Sequence, residues 1–568
     1  MTYHAPRRLP RTLVLALSLP LAAWAQTSPP DAGSLLREAP KTKEPLPARP
    51  ATSSPEAPAA SKTPSGPRIR VKGFRLQGHT QFSDAELQQL IAAYIGRELS
   101  FAEIQQAAVE IAEHYRRHGW LARAFLPAQD IVDGIVTLVV VEGRLGKVRV
   151  DPASPSRLDA EIGSDFILSR QLPGQPVRIE NLQHSLSLLN ALPGVAAAAV
   201  LEPGRQIGES DIALKLSDKP IFAGQASLDN QGSRSTGRER LIGQFNFDNP
   251  LGRGEQFQAN AMVSSHTDFI RVAYNRPLGG SGLRGGANLS GLRYSLGREF
   301  VINNAYGNAE TLGLNLAYPL VLTPERSVQF TANWDNKRLV NYSNGLQSSD
   351  KRVELGSVGL SGDMSDQWAG GGVTQYGVQY TRGRIDLSAN PTNLQLDVAQ
   401  TNGGFDRMNY NLSRLQRLGG DTSLIAALSG QWAGKNLDSG DKFSLGGANG
   451  VRAYPSLEGS GDEGWLINLE LRHNYNAQFQ VGVFYDIGGA TLNKSPWTGW
   501  NAGNPDLPSR YTLQGMGIGA SWVERGDYSV RAQLATKLGK NPGRNAQGKD
   551  SDGSDDKSRL WLTAVKLF

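Results

Sequence analysis

The segment Gln256-Phe257-Gln258-Ala259-Asn260-Ala261-Met262-Val263 sets the reading of the whole chain. Phe257, Ala259, Ala261 and Val263 fall on one face of an extended strand, and Gln256, Gln258, Asn260 and Met262 on the other, because successive side chains of a strand point to opposite sides. The same period returns further on, where Tyr528, Val530, Ala532 and Leu534 alternate with Ser529, Arg531, Gln533 and Ala535. Amides and arginine on the inner face suit a membrane barrel with a wet lumen better than a sandwich with a dry core. About sixteen such segments fit beyond residue 218, beginning near Ile221, Leu241, Gln256, Asp268, Leu283, Glu310, Ser327, Arg352, Val373, Asp406, Thr422, Trp465, Phe479, Tyr511, Tyr528 and Arg559.

The gaps between segments carry a second signal. Those after segments two, four, six, ten, twelve and fourteen are tight turns such as Asn249-Pro250-Leu251-Gly252, whereas most of those after odd-numbered segments are long, as at 434–464. Short periplasmic turns, long outer loops and an even count are the pattern of an outer-membrane barrel. Eight of the ten tryptophans fall in this region, as an interfacial girdle would place them. The terminal Phe568 resembles the aromatic that outer-membrane insertion machinery reads, although Lys566 shares its face.

Composition narrows the alternatives. The 568 residues include 64 glycines and no cysteine, and only 39% are hydrophobic, with a mean hydropathy of −0.36. Zero cysteine removes disulfide scaffolds, thiolate zinc sites and cysteine nucleophiles together. Apolar runs long enough to cross a bilayer as a helix are missing, which excludes a helical membrane protein. The charge of +6 is spread along the chain without a basic block, so nucleic-acid binding gains no support. Gly279 to Gly286 (GGSGLRGG) sits in a turn between strands, with no Lys-Ser/Thr and no following helix, and so does not make a nucleotide loop. The barrel region offers only His266 and His473, without a partner sequence for a serine hydrolase. No cofactor, metal site or enzymatic activity is expected.

Residues 1–25 read as a secretory signal: Arg7, Arg8 and Arg11, then the apolar Thr12 to Leu21, then Ala23-Trp24-Ala25. In 26–67, Asp31 to Ala39 can form about two helical turns, and the Pro-, Ala- and Ser-rich 40–67 reads as a linker. Two modules of one order follow, at 68–143 and 144–218. The first has a strand at Ile69 to Leu76, capping boxes at Ser83/Glu86 and Ser100/Glu103 that start helices reaching about Ile95 and Gly119, and strands at Leu121 to Leu126 and Ile135 to Glu142 around the turn Asp133-Gly134. The second offers Lys147 to Asp151, helices near Phe166 to Arg170 and Ile179 to Ala191, and strands near Ala197 to Leu201 and Asp211 to Leu216; the two form an internal repeat. Edge strands of such small domains can accept an added peptide strand. His114 and His118 have zinc-binding spacing, but no third ligand is evident.

The eleventh gap contains Leu445-Gly446-Gly447-Ala448-Asn449-Gly450-Val451-Arg452-Ala453-Tyr454-Pro455, and segment thirteen carries Phe484-Tyr485-Asp486-Ile487-Gly488. These look like the Val-Arg-Gly-Tyr/Phe loop motif and the Phe-x-Asp-x-Gly strand motif of the outer-membrane translocase superfamily, with Ala453 in place of the usual glycine. With the two modules, which resemble POTRA domains, the chain resembles the TpsB transporters of two-partner secretion, the haemolysin and filamentous-adhesin secretion/activation family.

On strand parity alone Phe479, Val481, Val483 and Tyr485 face lipid, and Phe484 and Asp486 face the lumen. The resemblance implies that the loop folds inward so that Arg452 pairs with Asp486, that Val451, Ala453, Tyr454 and Gly488 belong to the same lock, and that Asp31 to Ala39 begins a helix that plugs the barrel and swings out on its linker. In a water-filled lumen, bidentate geometry makes the pair worth about 1–3 kcal/mol.

The fold expected is thus a 16-stranded antiparallel outer-membrane β-barrel (219–568) preceded by two α+β POTRA domains and a plug helix. The function expected is a pore that passes an unfolded haemolysin- or adhesin-type exoprotein from periplasm to cell surface, driven by binding and by folding outside. The partners expected are that TpsA-type exoprotein, outer-membrane lipids and the barrel-assembly machinery. The alternative is an outer-membrane protein assembly factor of the same superfamily.

Overall fold

The computed structural model describes residues 29–40 and 68–568; the expected signal segment and most of the linker lie outside them. Helix α1 (Ala32–Glu38) comes first. The first module holds β1 (Ile69–Arg70), β2 (Gly73–Gln77), α2 (Asp84–Leu90), β3 (Glu98–Leu99), α3 (Phe101–Arg117), β4 (Ala122–Phe125) and β5 (Ile135–Glu142). Its sheet runs β2-β5-β4, with β2 parallel to β5. The single strand expected at Ile69 to Leu76 is two, because the chain changes partner at Val71: β1 pairs with β3 while β2 pairs with β5.

Capping explains the helix starts. Ser100 and Glu103 form the full reciprocal box at α3. At α2 only half forms, since Ser83 accepts from the Glu86 amide while the Glu86 carboxylate turns to His114 Nε2 at 3.2 Å. Helix α2 ends at Leu90, and a 3₁₀ turn over Ala92–Tyr94 completes the stretch expected to be helical up to about Ile95. The module closes over Leu87, Ile91, Ile104, Ile111, Val136 and Leu138, all essentially inaccessible.

The second module repeats the order with β6 (Arg144–Val150), α4 (Ala160–Leu168), α5 (Ile179–Asn190), β7 (Val195–Pro203) and β8 (Glu209–Asp218) in a sheet β6-β8-β7. Helix α4 starts well before the expected Phe166, because the Asp159 side chain caps it by accepting from the Glu161 amide.

Sixteen strands then close on themselves. They are β9 (Phe222–Asp229), β10 (Arg240–Asp248), β11 (Gln256–Val263), β12 (Thr267–Pro277), β13 (Arg284–Ser295), β14 (Tyr306–Leu322), β15 (Arg326–Ser343) and β16 (Leu346–Asp366). The second half comprises β17 (Gly372–Asp386), β18 (Gly403–Gly419), β19 (Thr422–Ala433), β20 (Glu463–Asn474), β21 (Phe479–Thr491), β22 (Arg510–Glu524), β23 (Tyr528–Lys537) and β24 (Ser558–Leu567). Every neighbouring pair is antiparallel, and β24 meets β9 to complete the ring. The period-two reading holds residue by residue. Phe257 and Val263 are exposed on the outer wall while Asn260 and Met262 are buried inside, and Val530 and Leu534 face outward while Gln533 and Ala535 face inward.

Two details differ from expectation. The gap after the seventh barrel strand is only Asn344-Gly345, both at positive φ, the residues a two-residue hairpin turn favours. Strand β16 therefore begins at Leu346, six residues before the expected Arg352, and β15 and β16 project as a long hairpin where an outer loop was expected. The tryptophans are also not a single girdle. Trp432, Trp465 and Trp522 lie on the outer wall, but Trp561 is 4% exposed and turned inward.

The second module is seated on the tight turns at one end of the barrel. The Asp159 amide donates to the Gly252 carbonyl at 2.8 Å, and Ser169 Oγ donates to the Gly280 carbonyl at 3.0 Å. A Cβ on Gly280 would overlap the Asp165 carbonyl of α4, so the glycine-rich stretch 279–286 serves close approach. Gly280→Ala is expected to part the module from the rim, read as faster hydrogen exchange in α4 with the barrel amides unchanged.

In the first module Glu142 is 6% exposed. Its carboxylate accepts from the Thr80 and Gln81 amides at 2.6 and 2.9 Å, from Thr80 Oγ1, and from Tyr115 Oη at 2.8 Å. Burial alone would raise this carboxyl, but those hydrogen bonds outweigh it and hold it below the ordinary glutamate value. The stabilisation is therefore present above the unfolded value of about 4.3 and fades as pH falls through the lower folded one. Glu142→Gln is expected to cost this module about 1–3 kcal/mol at pH 7 and to flatten its acid dependence, measured by hydrogen exchange of the β5 amides across pH.

Candidate translocation pore

Strand β21 presents its inner face at Phe484, Asp486 and Gly488, while Val481 and Val483 stand exposed on the outer wall. The long loop between β19 and β20 turns into the lumen and fills it there. Val451, Ala453 and Tyr454 are fully buried, and the Val451 amide closes the loop on the Leu445 carbonyl at 2.7 Å. Arg452 gives Asp486 three hydrogen bonds, from its backbone amide (3.0 Å), Nε (2.9 Å) and Nη2 (2.8 Å). Its guanidinium lies 3.4 Å from the centre of the Phe484 ring. Gly488 leaves room for the loop, since a Cβ there would stand 2.9 Å from Leu445 Cδ2. The methyl of Ala453 takes up the space over Gly515, where a Cβ would lie 2.7 Å from it. The departure from the usual glycine is thus absorbed by a glycine on β22.

The expected pair is larger and drier than parity suggested. Arg452 is 5% exposed and Asp486 0%, so the two are not in contact with lumen water as expected. Arg452 Nη1 also reaches Glu470 at 2.7 Å, and Glu470 takes further charge from Arg472 and Arg531 at 2.6 and 3.1 Å. Asn468 Nδ2 bridges the Gly450 carbonyl and Asp486, and Trp561 Nε1 donates to the Arg452 carbonyl at 2.7 Å. These partners were missed, yet Asn468 and Glu470 were findable: on a strand that presents Leu469 and Leu471 outward, the even positions must face the loop.

Helix α1 stands inside the barrel beside this loop. Asp31 caps it, accepting from the Ser34 amide at 2.9 Å, and the Ala32 amide donates to Asn341 Oδ1 at 2.8 Å. Ala32 and Leu35 pack against Phe269, Leu292 and Tyr294 of the wall. Gly33 lies so close to the loop that a Cβ would be 2.9 Å from the Gly440 nitrogen. Lys351 of β16 connects helix and loop: its Nζ donates to Asp31 at 3.2 Å and to Asp438 at 2.6 Å, and Ser439 Oγ donates to the same Asp31 carboxylate at 2.6 Å. A second loop, between β23 and β24, closes on the first through Glu458, which accepts from Asn541 Nδ2 at 2.8 Å and from the Ser551 amide at 2.7 Å.

The remaining candidates are spread elsewhere. His266 Nδ1 meets its neighbour Ser265 Oγ at 2.9 Å on an exposed turn, and His473 meets Thr422 Oγ1 at 3.0 Å. Among the described residues no carboxylate completes either contact. The His114 and His118 rings lie tilted to one another with centres 4.3 Å apart, and both meet the Phe82 ring edge to face.

A closed sixteen-stranded barrel, apolar outside, filled by an arginine-anchored loop and seated on POTRA-like modules, defines an outer-membrane β-barrel of the translocase type. The POTRA domain of ShlB type matches residues 69–143, and the haemolysin secretion/activation protein family ShlB/FhaC/HecB matches residues 208–521. The chain belongs to that family, the outer-membrane transporters that move exoproteins in two-partner secretion, with POTRA domains in the periplasm. Among relatives, it is 28% identical to the heme/hemopexin transporter protein HuxB of Haemophilus influenzae over 95% of each chain, and 25% identical to the hemolysin transporter protein ShlB of Serratia marcescens over 74% of this chain and 75% of that one. Among solved structures, CdiB from Escherichia coli superimposes with a TM-score of 0.65 at 20% identity, covering 92% of this chain and 94% of the other. BamA from Haemophilus ducreyi lacking POTRA domains 1–3 gives 0.53 at 14% identity, covering 88% and 100%, a likeness of fold alone.

Removing one partner from a buried ion group costs about 3–5 kcal/mol. Arg452→Ala, which leaves Asp486 and Glu470 uncompensated, is therefore expected to free the loop without unfolding the barrel. External protease should then cut within 446–450, which the parent protects.

Proposed function

We propose that the two POTRA domains take up an unfolded haemolysin- or adhesin-type exoprotein in the periplasm, and that its arrival displaces α1 and then the Arg452 loop to open the lumen. The observation that carries this reading is Lys351, one buried cation shared between Asp31 of the helix and Asp438 of the loop. Loss of either anchor weakens the hold on the other, so departure of the helix loosens the loop that follows it. The ring of charge around Arg452 is then the later, stronger anchor: it holds the loop tip against β21 in the position from which the chain displaces it, and a loop without it lies loose in the path. In this reading the protein carries out no catalytic step. The barrel-assembly machinery inserts it, and outer-membrane lipids surround its apolar wall.

Lys351→Ala is expected to raise the conducting fraction in planar bilayers at least about tenfold, because 1.4 kcal/mol already shifts an opening equilibrium by that factor. An unchanged closed fraction would remove the shared cation from the gate. Deletion of both POTRA domains is expected to abolish secretion of the exoprotein while the barrel still inserts and conducts. For Arg452→Ala the expectation is lost secretion with normal insertion, scored by exoprotein in the medium against barrel in the membrane.

A further inference from the structure

The lumen beneath α1 has its own chemistry. It is a chamber of about 830 Å³, roofed by Leu36, Ala39 and Pro40 and extending to Gln256, Asn275 and Arg284 at the periplasmic strand ends. A chain arriving from the POTRA side therefore meets it before reaching the plug. Among the described residues, ten of the twenty-seven that line it are asparagine or glutamine, six more carry a hydroxyl, and only four are charged. The amides answer one another along the wall: Gln258 donates to Gln256 at 2.7 Å and Asn315 to Asn275 at 2.9 Å. Each such bond engages one donor and one acceptor and leaves the amide others to offer. Gln329 is only 5% exposed, yet its Oε1 has no hydrogen-bond partner on the chamber wall.

We propose that this chamber is a binding site for an extended polypeptide segment rich in Asn, Ser, Thr and Gly, and that it disfavours basic segments. The proposal rests on the translocation reading above and names the substrate chemistry of its first lumen station. An extended backbone carries one donor and one acceptor per residue, and amide side chains supply both, so the wall can pair with a passing chain in any register. On its strand wall only Phe269, Ala273 and Leu314 are apolar, the other apolar lining coming from Leu36, Ala39 and Pro40 of the roof, which leaves little on the wall to grip a hydrophobic segment. The charged minority is Arg271, Arg284 and Lys337 against Asp335, a positive excess that repels lysine and arginine. Neutral polar sequence is left as the chemistry that both fits and moves on, because each hydrogen bond competes with water and none is strong enough to hold the chain.

The cysteine-free chain allows a direct test. Thr331→Cys, on the chamber wall, carries a bimane label in full-length protein in lipid nanodiscs, with α1 and Arg452 intact. The probes are 18-residue peptides of Asn, Ser, Gly and Thr, and the same peptides with lysine at every third position. The neutral peptide is expected to change the emission saturably and to bind at least about tenfold tighter than the lysine peptide. Gln258→Leu with Asn288→Leu and Asn333→Leu should abolish that binding. The size-preserving pair Asn288→Asp and Asn333→Asp, which sets three carboxylates against the three cations, should abolish the discrimination against lysine while peptide binding persists, an outcome that a collapsed barrel could not give. Equal binding of both peptides to the parent protein, or unaltered neutral-peptide binding to the leucine variant, would overturn the proposal. Such a failure leaves the gate standing, just as a closed Lys351→Ala channel would sink the gate without touching the chamber.

Discussion

No water reaches backbone amides and carbonyls inside the hydrocarbon layer, so a strand-built membrane protein must close its hydrogen-bond ladder into a ring. Here the ring is completed where β24 meets β9, with Thr563 opposite Asp229 and Leu567 opposite Gln225, and the Gly224 and Phe568 backbones exchange hydrogen bonds at 2.8 and 3.0 Å. That closure fixes everything else. With one face of every strand committed to lipid, the other must be polar, and sixteen strands leave a lumen too wide for side chains to fill. The chain therefore spends a helix and two loops on filling it.

Filling a polar tube without sealing it permanently is a problem of charge. Arg452 is held by two carboxylates and a ring face, and Lys351 by two carboxylates from separate segments. Each cation is surrounded closely enough to offset its desolvation. Each also holds a segment that buries apolar side chains of its own: Lys351 the helix with Ala32 and Leu35, and Arg452 the loop whose Leu445, Val451, Ala453 and Tyr454 cluster with Phe484 and Leu513. The mean hydropathy of −0.36, which looks soluble, follows from the same requirement, since half of every strand and most of the filling are polar.

The barrel was legible in the sequence because period two is a local property, and parity placed Phe484 and Asp486 correctly inside. The turn Asn344-Gly345 could have been read too, but the charged outward residues just above the membrane band, such as Arg352 and Glu354, hide the strand that continues past them. What sequence could not supply is pairing between segments far apart in the chain. Lys351 meeting Asp31, Glu458 meeting Asn541, and Trp561 turning inward to the Arg452 carbonyl depend on how loops cross the lumen. The half-formed cap at Ser83 is of the same kind, since Glu86 had a histidine on α3 to choose instead. The excess burial of the Arg452 group came from those unseen neighbours.

Gly280 pressed beneath α4, with Gly252 bonded to Asp159 beside it, makes the second POTRA domain a fixed collar on the barrel mouth. A segment held on a flexible arm would search for the entrance through a large volume, and its effective concentration there would be low. Held on a collar, it stands at one bearing and one distance from the amide-lined chamber, so entry becomes an intramolecular step whose effective concentration is set by the rim. In the proposed uptake, the glycines that give these turns their close approach thereby set the probability that a captured chain enters at all.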